Sequence, residues 1–500
     1  MSYYFTESHE LFRESLKAFL NKEVAPHIDE WEEKGQIPKQ VWKKMGALGF
    51  LGLSYPAEYG GANLDFFYDV IFVEETSKMF SGGFAITQAV VQYMSGPYIL
   101  KHGSDKLKQK YLPGIISGEL VSCIGITEPG AGSDVANIQT TAILDGDHYM
   151  VNGSKTFITN AVYGDFIVTV VKTDLKKGVG GVSLLVIDRN AEGVSATKLK
   201  KLGWHASDTA ELVFDQVKVP KENLIGEEGQ GFYYLMGGLQ LERLAGAVMG
   251  YAGCEKAMEY TLQYMAEREA FGRPINKFQV LRHRVAQLAT EIEACKQFVL
   301  YCSKLNNDKK YAVKECSMAK LLASELSDKV MTQCLQFFGG YGFMEDFKIA
   351  RMFRDSRIGT IGAGTSEIMR EIIAKMVIDD VSYSNGQSTN NLNNNQNNKP
   401  MEKENNNLLE QVKKIAENVP PLGNTVKFVF EGSQLFVDGT GANNEVTNKN
   451  DDADCNVHVS QEDFASLMTG DLDPMTAVMT GKIEIKGDMG VAMKLQALFG

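Results

Sequence analysis

The stretch from Ile124 to Asn160 constrains the fold of this chain more than any other part of the sequence. It begins with the segment IGITEPGAGSD, an apolar run that breaks at Pro129 and continues through Gly130 and Gly132. Glycine adopts backbone conformations that residues with a Cβ avoid, so these positions predict a turn after a short strand. Such a loop can bring its amide groups close to a ligand.

The second segment, NGSKTFITN, spans Asn152 to Asn160 and follows a short polar hairpin. Phe157, Ile158 and Thr159 alternate in type at strand spacing, which would present an aromatic ring and a hydroxyl near one surface. A planar aromatic cofactor could use both segments. On turn chemistry alone, a glycine-containing turn beside an ordinary strand explains the same residues.

The length and charge of the chain limit its class. Five hundred residues exceed one hydrophobic core, so two or more domains are expected. A net charge of -12 argues against a nucleic-acid partner, which would require clustered basic residues. The seven cysteines contain no CxxC pair and the seven histidines no metal-ligand spacing, which predicts reduced thiols in an intracellular protein and no metal site. No apolar run reaches the roughly twenty residues that cross a bilayer.

Hydrophobic periodicity changes twice along the chain, from helical to strand spacing and back. Helices are predicted at Leu11–Leu20, Val41–Leu48, Phe67–Met79, Gly83–His102, Lys106–Ile116 and through most of Gly231–Val377. Strands are predicted at Tyr149–Val151, Phe166–Lys172, Val182–Asp188 and Ala210–Val219. These changes predict an α+β multidomain fold with a helical domain (1–118), a β domain (119–222) and a second helical domain (223–380).

The last quarter of the chain follows a break in composition. Asparagine dominates 381–407, a polar tract with too little apolar surface to offset its ordering entropy, which predicts a flexible linker. An asparagine-rich interaction tract is the alternative. Residues 408–500 predict a small α/β domain. Its helices are expected over Leu408–Asn418, around Phe464 and Leu467 and from Met489, and its strands over Thr425–Glu431, Gln434–Asp438, Cys455–Val459 and Gly481–Lys486.

One carboxylate interrupts an apolar helical face in the second helical domain. The face of the helix after Gly231 is apolar except for Glu242, and its other members are Leu235, Leu239, Gly246 and Met249. Burial raises the pKa of a carboxyl group towards neutrality, which suits a general base. The pattern fits equally well a carboxylate held by Arg243 or by a neighbouring helix.

The TEPGAGSD segment and the KxFITN run that follows it together resemble the flavin-binding middle domain of the acyl-CoA dehydrogenases. The resemblance extends from about Tyr3 to Asp380. It implies the three-domain fold of that family, FAD as the cofactor, an acyl-CoA substrate, electron-transfer flavoprotein as the electron acceptor and a homotetramer.

The resemblance also decides between the interpretations of Glu242. Many acyl-CoA dehydrogenases carry the catalytic base in a C-terminal loop with the pattern Glu-Gly-Thr, whereas the isovaleryl- and long-chain-type enzymes carry it in a helical run such as Leu-Glu-Arg-Leu. Here the loop has Ala363 in place of the glutamate, and the helix reads Leu241-Glu-Arg-Leu244. Glu242 is therefore expected to remove the α-proton of the thioester, while the backbone amide of Ala363 stabilises the carbonyl oxygen.

Further site residues follow from the resemblance, position by position. The FAD-binding positions are Ile124, Thr127, Ser133, Phe157, Ile158, Thr159, Arg268, Gln279, Gln336, Phe337, Phe338, Gly339, Gly340, Thr365, Ser366 and Glu367. Arg268, Gln279 and Gln336–Gly340 match positions that reach the FAD of a neighbouring subunit. The substrate-binding positions are Ser133, Tyr233, Gln240, Arg243, Ala363 and Gly364. Without the flanking motif, Arg268 would suit a surface ion pair with Glu267 or Glu269.

The closing run DPMTAVMTGKIEIKGDMG, residues 473–490, resembles the sterol carrier protein type 2 family, in which a small sheet covered by helices encloses an apolar tunnel. This resemblance implies a lipid ligand. The leading hypothesis is an acyl-CoA dehydrogenase for long or branched chains in fatty-acid β-oxidation, tethered to a lipid carrier. An oxygen-using acyl-CoA oxidase and a non-catalytic lipid carrier are the alternatives. The acidic amino terminus predicts a cytoplasmic location, although the resembling enzymes also work in mitochondria and peroxisomes.

Overall fold

The chain forms two compact units, Met1–Thr389 and Asn390–Gly500. The computed structural model describes residues 3–379, 381, 412–413, 416, 419–430, 433–441, 443–447, 449, 451–460, 463–464, 467 and 483–487. The mixed helix and sheet class is confirmed. The predicted domain limits stay predictions, and the predicted linker at 381–407 lies outside the described residues apart from Val381.

The amino-terminal part of the first unit is helical. Its helices are α1 (Glu7–Glu23), α2 (Ile28–Lys34), α3 (Lys39–Ala47), α4 (Phe66–Ser77), α5 (Gly82–Ala89), α6 (Gly96–His102) and α7 (Asp105–Ile116). Helix α1 begins after Thr6, whose side chain accepts a hydrogen bond from the amide of His9. The apolar faces of these helices pack into one core that includes Trp42, Phe72 and Phe84.

One helix predicted from the periodicity is not continuous. A single helix is expected over Gly83–His102, but the structure divides it into α5, a π-helical segment (Val90–Ser95) and α6. Pro97, near the start of α6, has no amide hydrogen to continue an α-helical pattern, and the amide of Gly96 bonds a carbonyl five residues back. The wider turn changes the direction in which the following residues point, including Tyr98.

A sheet of eight strands forms the middle of the first unit. The strands are β1 (Ser122–Gly125), β2 (Thr141–Asp145), β3 (His148–Thr159), β4 (Phe166–Lys172), β5 (Val182–Asp188), β6 (Val194–Lys198), β7 (Thr209–Pro220) and β8 (Leu224–Ile225). Their order is β6-β7-β3-β2-β4-β5-β8, and β1 pairs with β4. The predicted bounds of β4 and β5 are confirmed, because both strands are short, mostly apolar and buried runs between turns.

Long helices return after the sheet. They are α8 (Gly231–Glu267), α9 (Gln279–Asn307), α10 (Val313–Phe338), α11 (Lys348–Ser356) and α12 (Ser366–Ile378), and a hairpin of β9 (Glu269–Ala270) and β10 (Arg273–Pro274) separates α8 from α9. Helix α8 packs against α10 and also against α4 and α6, so one 37-residue helix joins the C-terminal bundle to the amino-terminal helices. Among the described residues, no helix is long and apolar enough to cross a membrane.

The second unit contains a five-stranded sheet of order β13-β12-β11-β14-β15. Its strands are β11 (Thr425–Phe430), β12 (Ser433–Asp438), β13 (Glu445–Thr447), β14 (Cys455–Val459) and β15 (Ile483–Gly487). The short β13 was not predicted, because three residues carry too little periodicity. Phe428 and Phe464 are buried in the core of the second unit. The predicted helix from Met489 lies outside the described residues, as do most of those over Leu408–Asn418 and around Phe464.

Candidate active site

The two glycine-containing segments lie side by side where β1 ends and β3 approaches its own end. The amide of Thr156 donates to the carbonyl of Thr127 over 2.8 Å. The ammonium of Lys155 donates to the carbonyl of Ile126 over 3.1 Å. These bonds fix the loop after β1 against β3, so a single ligand can touch both segments.

Paired backbone hydrogen bonds of 3.0 and 3.1 Å between Glu128 and Ala131 close the turn in the first segment. The turn itself was predicted, but the reason given for it is wrong. Neither Gly130 nor Gly132 has a positive φ, and a Cβ built on either would meet nothing within 4 Å. Pro129 and the paired bonds are sufficient to form the turn.

Backbone strain lies in the second segment instead. Phe157 has a φ of 62° at a bulge where the register of β3 with β7 shifts between Lys155 and Ile158, and Asn160, just after the end of β3, has a φ of 67°. The bulge turns the ring of Phe157 outwards, where it is 69% exposed, while Ile158 is buried in the core of the sheet. Ile158 was assigned to the cofactor site, but it can reach a ligand there only through its main chain.

A buried ion pair supports this part of the site. The ammonium of Lys155 lies 2.7 Å from Oε1 of Glu128, and both side chains are almost fully buried. The amides of Gln139 and Thr140 donate to the same carboxylate over 2.5 and 3.0 Å. Burial alone would raise the pKa of Glu128, but the Lys155 ammonium and these donors hold it below its usual value. This ion pair was not predicted from the sequence. The available signal was Glu128 in the first segment and Lys155, which is the only basic residue of the second segment.

Glu242 lies where α8 packs against α6, and its side chain is 4% exposed. The hydroxyl of Tyr98 lies 3.3 Å from its Oε1. Burial raises the pKa of Glu242 to about 7, while the Tyr98 hydrogen bond and the charge of Arg243 oppose the rise. The predicted burial of this carboxylate is confirmed, and the neighbouring helix contacts it through a phenol.

The predicted acyl-CoA residues on α8 do not all share the face of Glu242. Each helical residue turns the chain by about 100°, so Tyr233 and Gln240, nine and two residues before Glu242, point to roughly the opposite side. Both are half-buried, whereas Arg243 is buried. The structure therefore brings Arg243 close to Glu242 and places Tyr233 and Gln240 on the other side of the helix, about two turns apart.

The loop before α12 has strained backbone next to a buried lysine. Ala363 and Gly364 have φ values of 53° and 92°. Lys320 of α10 is 4% exposed and donates to the carbonyl of Gly364. Burial, and then the charge of Arg243, lowers the pKa of Lys320 to about 8. Sequence reasoning missed Lys320, because nothing in a long helix marks the lysine that reaches a distant carbonyl.

The amino end of α12 follows directly. Thr365 caps the helix by accepting a hydrogen bond from the amide of Ile368 over 3.2 Å. The hydroxyl of Ser366 is buried and has no hydrogen-bond partner among the described residues. Glu367 is exposed, and a hydrogen bond from its own backbone amide holds its pKa below the usual value.

A groove in the C-terminal bundle collects most of the residues predicted to reach a neighbouring subunit. It is lined by Tyr264, Arg268, Ile275, Leu281, Arg284, Gln336, Phe337, Phe338, Gly339, Gly340, Tyr341 and Met344. The guanidinium of Arg268 lies 5.4 Å from the ring centroid of Tyr341, and it forms no ion pair with a described carboxylate, Glu267 and Glu269 included. Gln279 is exposed at the start of α9 and does not line the groove, while Arg284 lines it and was not predicted.

The residues around Phe157 and the groove around Arg268 fit two parts of FAD, its flavin ring and its pyrophosphate. The exposed ring of Phe157 beside the half-buried hydroxyls of Thr127 and Thr159 suits a planar ring with polar edges. Arg268 suits a pyrophosphate, and the exposed backbone at Gly339, where a Cβ would meet nothing within 4 Å, allows close approach.

Family models match nearly the whole chain. Those of the N-terminal, middle and C-terminal domains of acyl-CoA dehydrogenase match residues 6–119, 123–217 and 229–378. The model of the SCP-2 sterol transfer family matches residues 403–500.

Individual relatives match about three quarters of the chain. The mitochondrial long-chain specific acyl-CoA dehydrogenase of Mus musculus is 37% identical over 381 residues, which are 75% of this chain and 88% of that protein. The caffeyl-CoA reductase-Etf complex subunit CarC of Acetobacterium woodii is also 37% identical, over 75% of this chain and 99% of its own. The crystal structure of acyl-CoA dehydrogenase from Geobacillus kaustophilus is 45% identical with a TM-score of 0.73, and covers 76% of this chain and 100% of its own.

The match extends to cofactor and class. Members of this family are FAD-dependent oxidoreductases, which agrees with the fit of the two residue groups to FAD. The C-terminal match adds a lipid-binding domain. By sequence and fold, the chain belongs to the acyl-CoA dehydrogenase family, and it carries an SCP-2 domain after the three dehydrogenase domains.

Proposed function

We propose that this chain oxidises long-chain or branched acyl-CoA thioesters to trans-2-enoyl-CoA in fatty-acid β-oxidation and passes the electrons to electron-transfer flavoprotein. The observation that carries the proposal is the buried carboxyl of Glu242, whose pKa is about 7, together with an alanine at position 363. The similarity to the mouse enzyme, which is named for long-chain substrates, supports the substrate class. The cytoplasmic location stays a prediction, since that relative is named mitochondrial.

Glu242 removes the α-proton of the thioester. A carboxyl group with a pKa near 7 is partly ionised at neutral pH and still basic enough to accept a proton. Bound FAD supplies the acceptor for the hydride that leaves the β-carbon. The amide of Ala363 donates to the thioester carbonyl, and Lys320 stabilises the loop that carries it.

We further propose that the groove around Arg268 binds the FAD of a neighbouring subunit, in a homotetramer. Thr127, Phe157 and Thr159 hold the ring end of the cofactor within the subunit. The SCP-2 domain binds lipid and raises the local concentration of substrate.

Anaerobic titration of the purified protein with acyl-CoA thioesters of increasing chain length tests the reaction. Long-chain thioesters are expected to bleach the oxidised flavin absorbance of the parent but not of Glu242→Gln. Asp69→Asn is the matched control, because Asp69 is a buried carboxyl whose pKa burial also raises to about 7. Bleaching that persists in Glu242→Gln, or its absence in the parent, would contradict the proposal. Rapid reoxidation of the reduced flavin by oxygen while the product is bound would indicate the oxidase instead.

The reverse reaction is a second candidate, because CarC, named a reductase subunit, is as similar as the mouse dehydrogenase. Glu242 would then donate the proton to the α-carbon. Faster reoxidation of the dithionite-reduced flavin by aryl than by alkyl 2-enoyl-CoA would favour this direction.

A further inference from the structure

Tyr98 is held against α8 from a neighbouring helix. It follows the π-helical segment and Pro97, and its side chain is 2% exposed. Its hydroxyl oxygen lies 3.3 Å from the carbonyl oxygen of Leu235 and 3.3 Å from Oε1 of Glu242. One phenolic proton is therefore placed between two acceptors, and it can be donated to only one of them at a time.

A glycine in α8 makes this approach possible. A Cβ built on Gly238 would lie 2.2 Å from the hydroxyl oxygen of Tyr98, closer than any side chain can pack. Any other residue at position 238 would push the phenol away from both acceptors. A glycine at position 238 lowers the helix propensity of α8, but it leaves room for the hydroxyl of Tyr98 beside Glu242.

We propose that Tyr98 is a positioning residue that stabilises Glu242 before and after proton transfer. While the carboxylate is ionised, the hydroxyl of Tyr98 donates to its Oε1. When Glu242 has taken the α-proton, the hydroxyl turns to donate to the carbonyl of Leu235, and its oxygen accepts a hydrogen bond from the protonated carboxyl. Tyr98 keeps its own proton throughout. The inference rests on the proposed function, in which Glu242 is the base.

The electrostatic surroundings agree with this role. Burial, and then the charge of Glu242, raises the pKa of Tyr98 well above its usual value, so the phenol stays protonated. Arg243 on the same helix opposes the rise in the pKa of Glu242, and Lys320 of α10 lies near Arg243. Lys101 and His102 follow Tyr98 in α6, and burial lowers the pKa of both, that of His102 to about 4. The hydrogen bond from Tyr98 also opposes the rise in the pKa of Glu242, so removing the Tyr98 hydroxyl would raise that pKa further.

The test is the rate of flavin reduction by a long-chain acyl-CoA as a function of pH, measured by stopped flow. In Tyr98→Phe the midpoint of the rise in rate should move upwards by about one pH unit, because the hydrogen bond lost from the ionised carboxylate is stronger than the one lost from the protonated carboxyl. Tyr93→Phe is the matched control. It removes a buried phenol in the π-helical segment that donates to Asp69 over 3.1 Å, and it should leave the midpoint unchanged.

Gly238→Ala gives a second route if Tyr98→Phe does not fold, because its Cβ displaces the hydroxyl and should shift the midpoint in the same direction. An unchanged or lowered midpoint in the folded variant would overturn the role of Tyr98. Failure of the proposed function looks different: the flavin of Glu242→Gln would then be reduced as fast as that of the parent, whatever Tyr98→Phe does.

Discussion

Glu128 and Glu242 are both buried carboxylates of the candidate site, yet their surroundings differ. Glu128 accepts from the Lys155 ammonium and from two backbone amides, whereas Glu242 is contacted by the hydroxyl of Tyr98 at 3.3 Å. The pKa of Glu128 is lowered and that of Glu242 is raised to about 7. Because a fully solvated or fully paired carboxylate is a weak base, Glu242 rather than Glu128 can exchange a proton near neutral pH.

The donors around a buried carboxylate therefore decide its role, and burial alone does not. Asp69 shows that a raised pKa is not sufficient either. Burial raises the pKa of Asp69 to about 7 and Tyr93 donates a hydrogen bond to it, but Asp69 lies on α4 outside the site. A raised pKa therefore selects candidates, and position selects among them.

Breaking the Glu128 ion pair should have the largest effect on stability. Lys155→Met leaves a buried carboxylate without its cation, which typically costs about 3 to 5 kcal/mol, and should lower the thermal midpoint of the holoprotein in calorimetry. Lys39→Met is the control, because Lys39 and Asp165 are also 2.7 Å apart but about one third exposed, and its cost should stay below about 1 kcal/mol. Equal losses in the two variants would mean that burial does not distinguish these pairs.

Replacing Glu242 should have the opposite effect on stability, because it should raise the free energy of unfolding instead of lowering it. Its pKa is about 7 in the folded chain against 4.5 ordinarily, so between these values the folded state binds more protons than the unfolded state and stability falls as pH rises. Above pH 7 the loss reaches about 3 kcal/mol. Without acyl-CoA, Glu242→Gln should match the parent in thermal midpoint at pH 4.5 and exceed it increasingly towards pH 8. A constant difference across this range would show that Glu242 is not a desolvated carboxylate.

The sequence predicts which face of a helix or strand is buried better than it predicts which residues contact one another. Strand β4 and the burial of Glu242 follow from periodicity, because periodicity reports which side of an element is apolar. The contacts of Glu128 with Lys155, Tyr98 with Glu242 and Lys320 with Gly364 join residues that are distant in the chain, and periodicity carries no information about them. The π-helical segment escaped prediction for a related reason, since one wide turn barely alters the hydrophobic pattern around it.

The smallest effect is expected in the loop next to Glu128. Gly130→Ala should change the free energy of unfolding by no more than about 0.5 kcal/mol, because φ is not positive there and the new methyl group meets nothing within 4 Å. Gly153→Ala is its counterpart in the second motif. There φ is +146° and a Cβ would lie 2.6 Å from Oγ1 of Thr140, so a loss of about 2 kcal/mol or more is expected.

Denaturant unfolding of the flavin-free protein measures both changes, and flavin fluorescence measures FAD affinity. If the loop amides contact FAD, Gly130→Ala should weaken FAD binding while leaving the flavin-free protein as stable as the parent. That outcome would make Gly130 a glycine required by the ligand rather than by the turn. A stability loss comparable to that of Gly153→Ala would instead mean that the turn requires a glycine. The ion pair of Glu128 would then not be the only feature that stabilises this region.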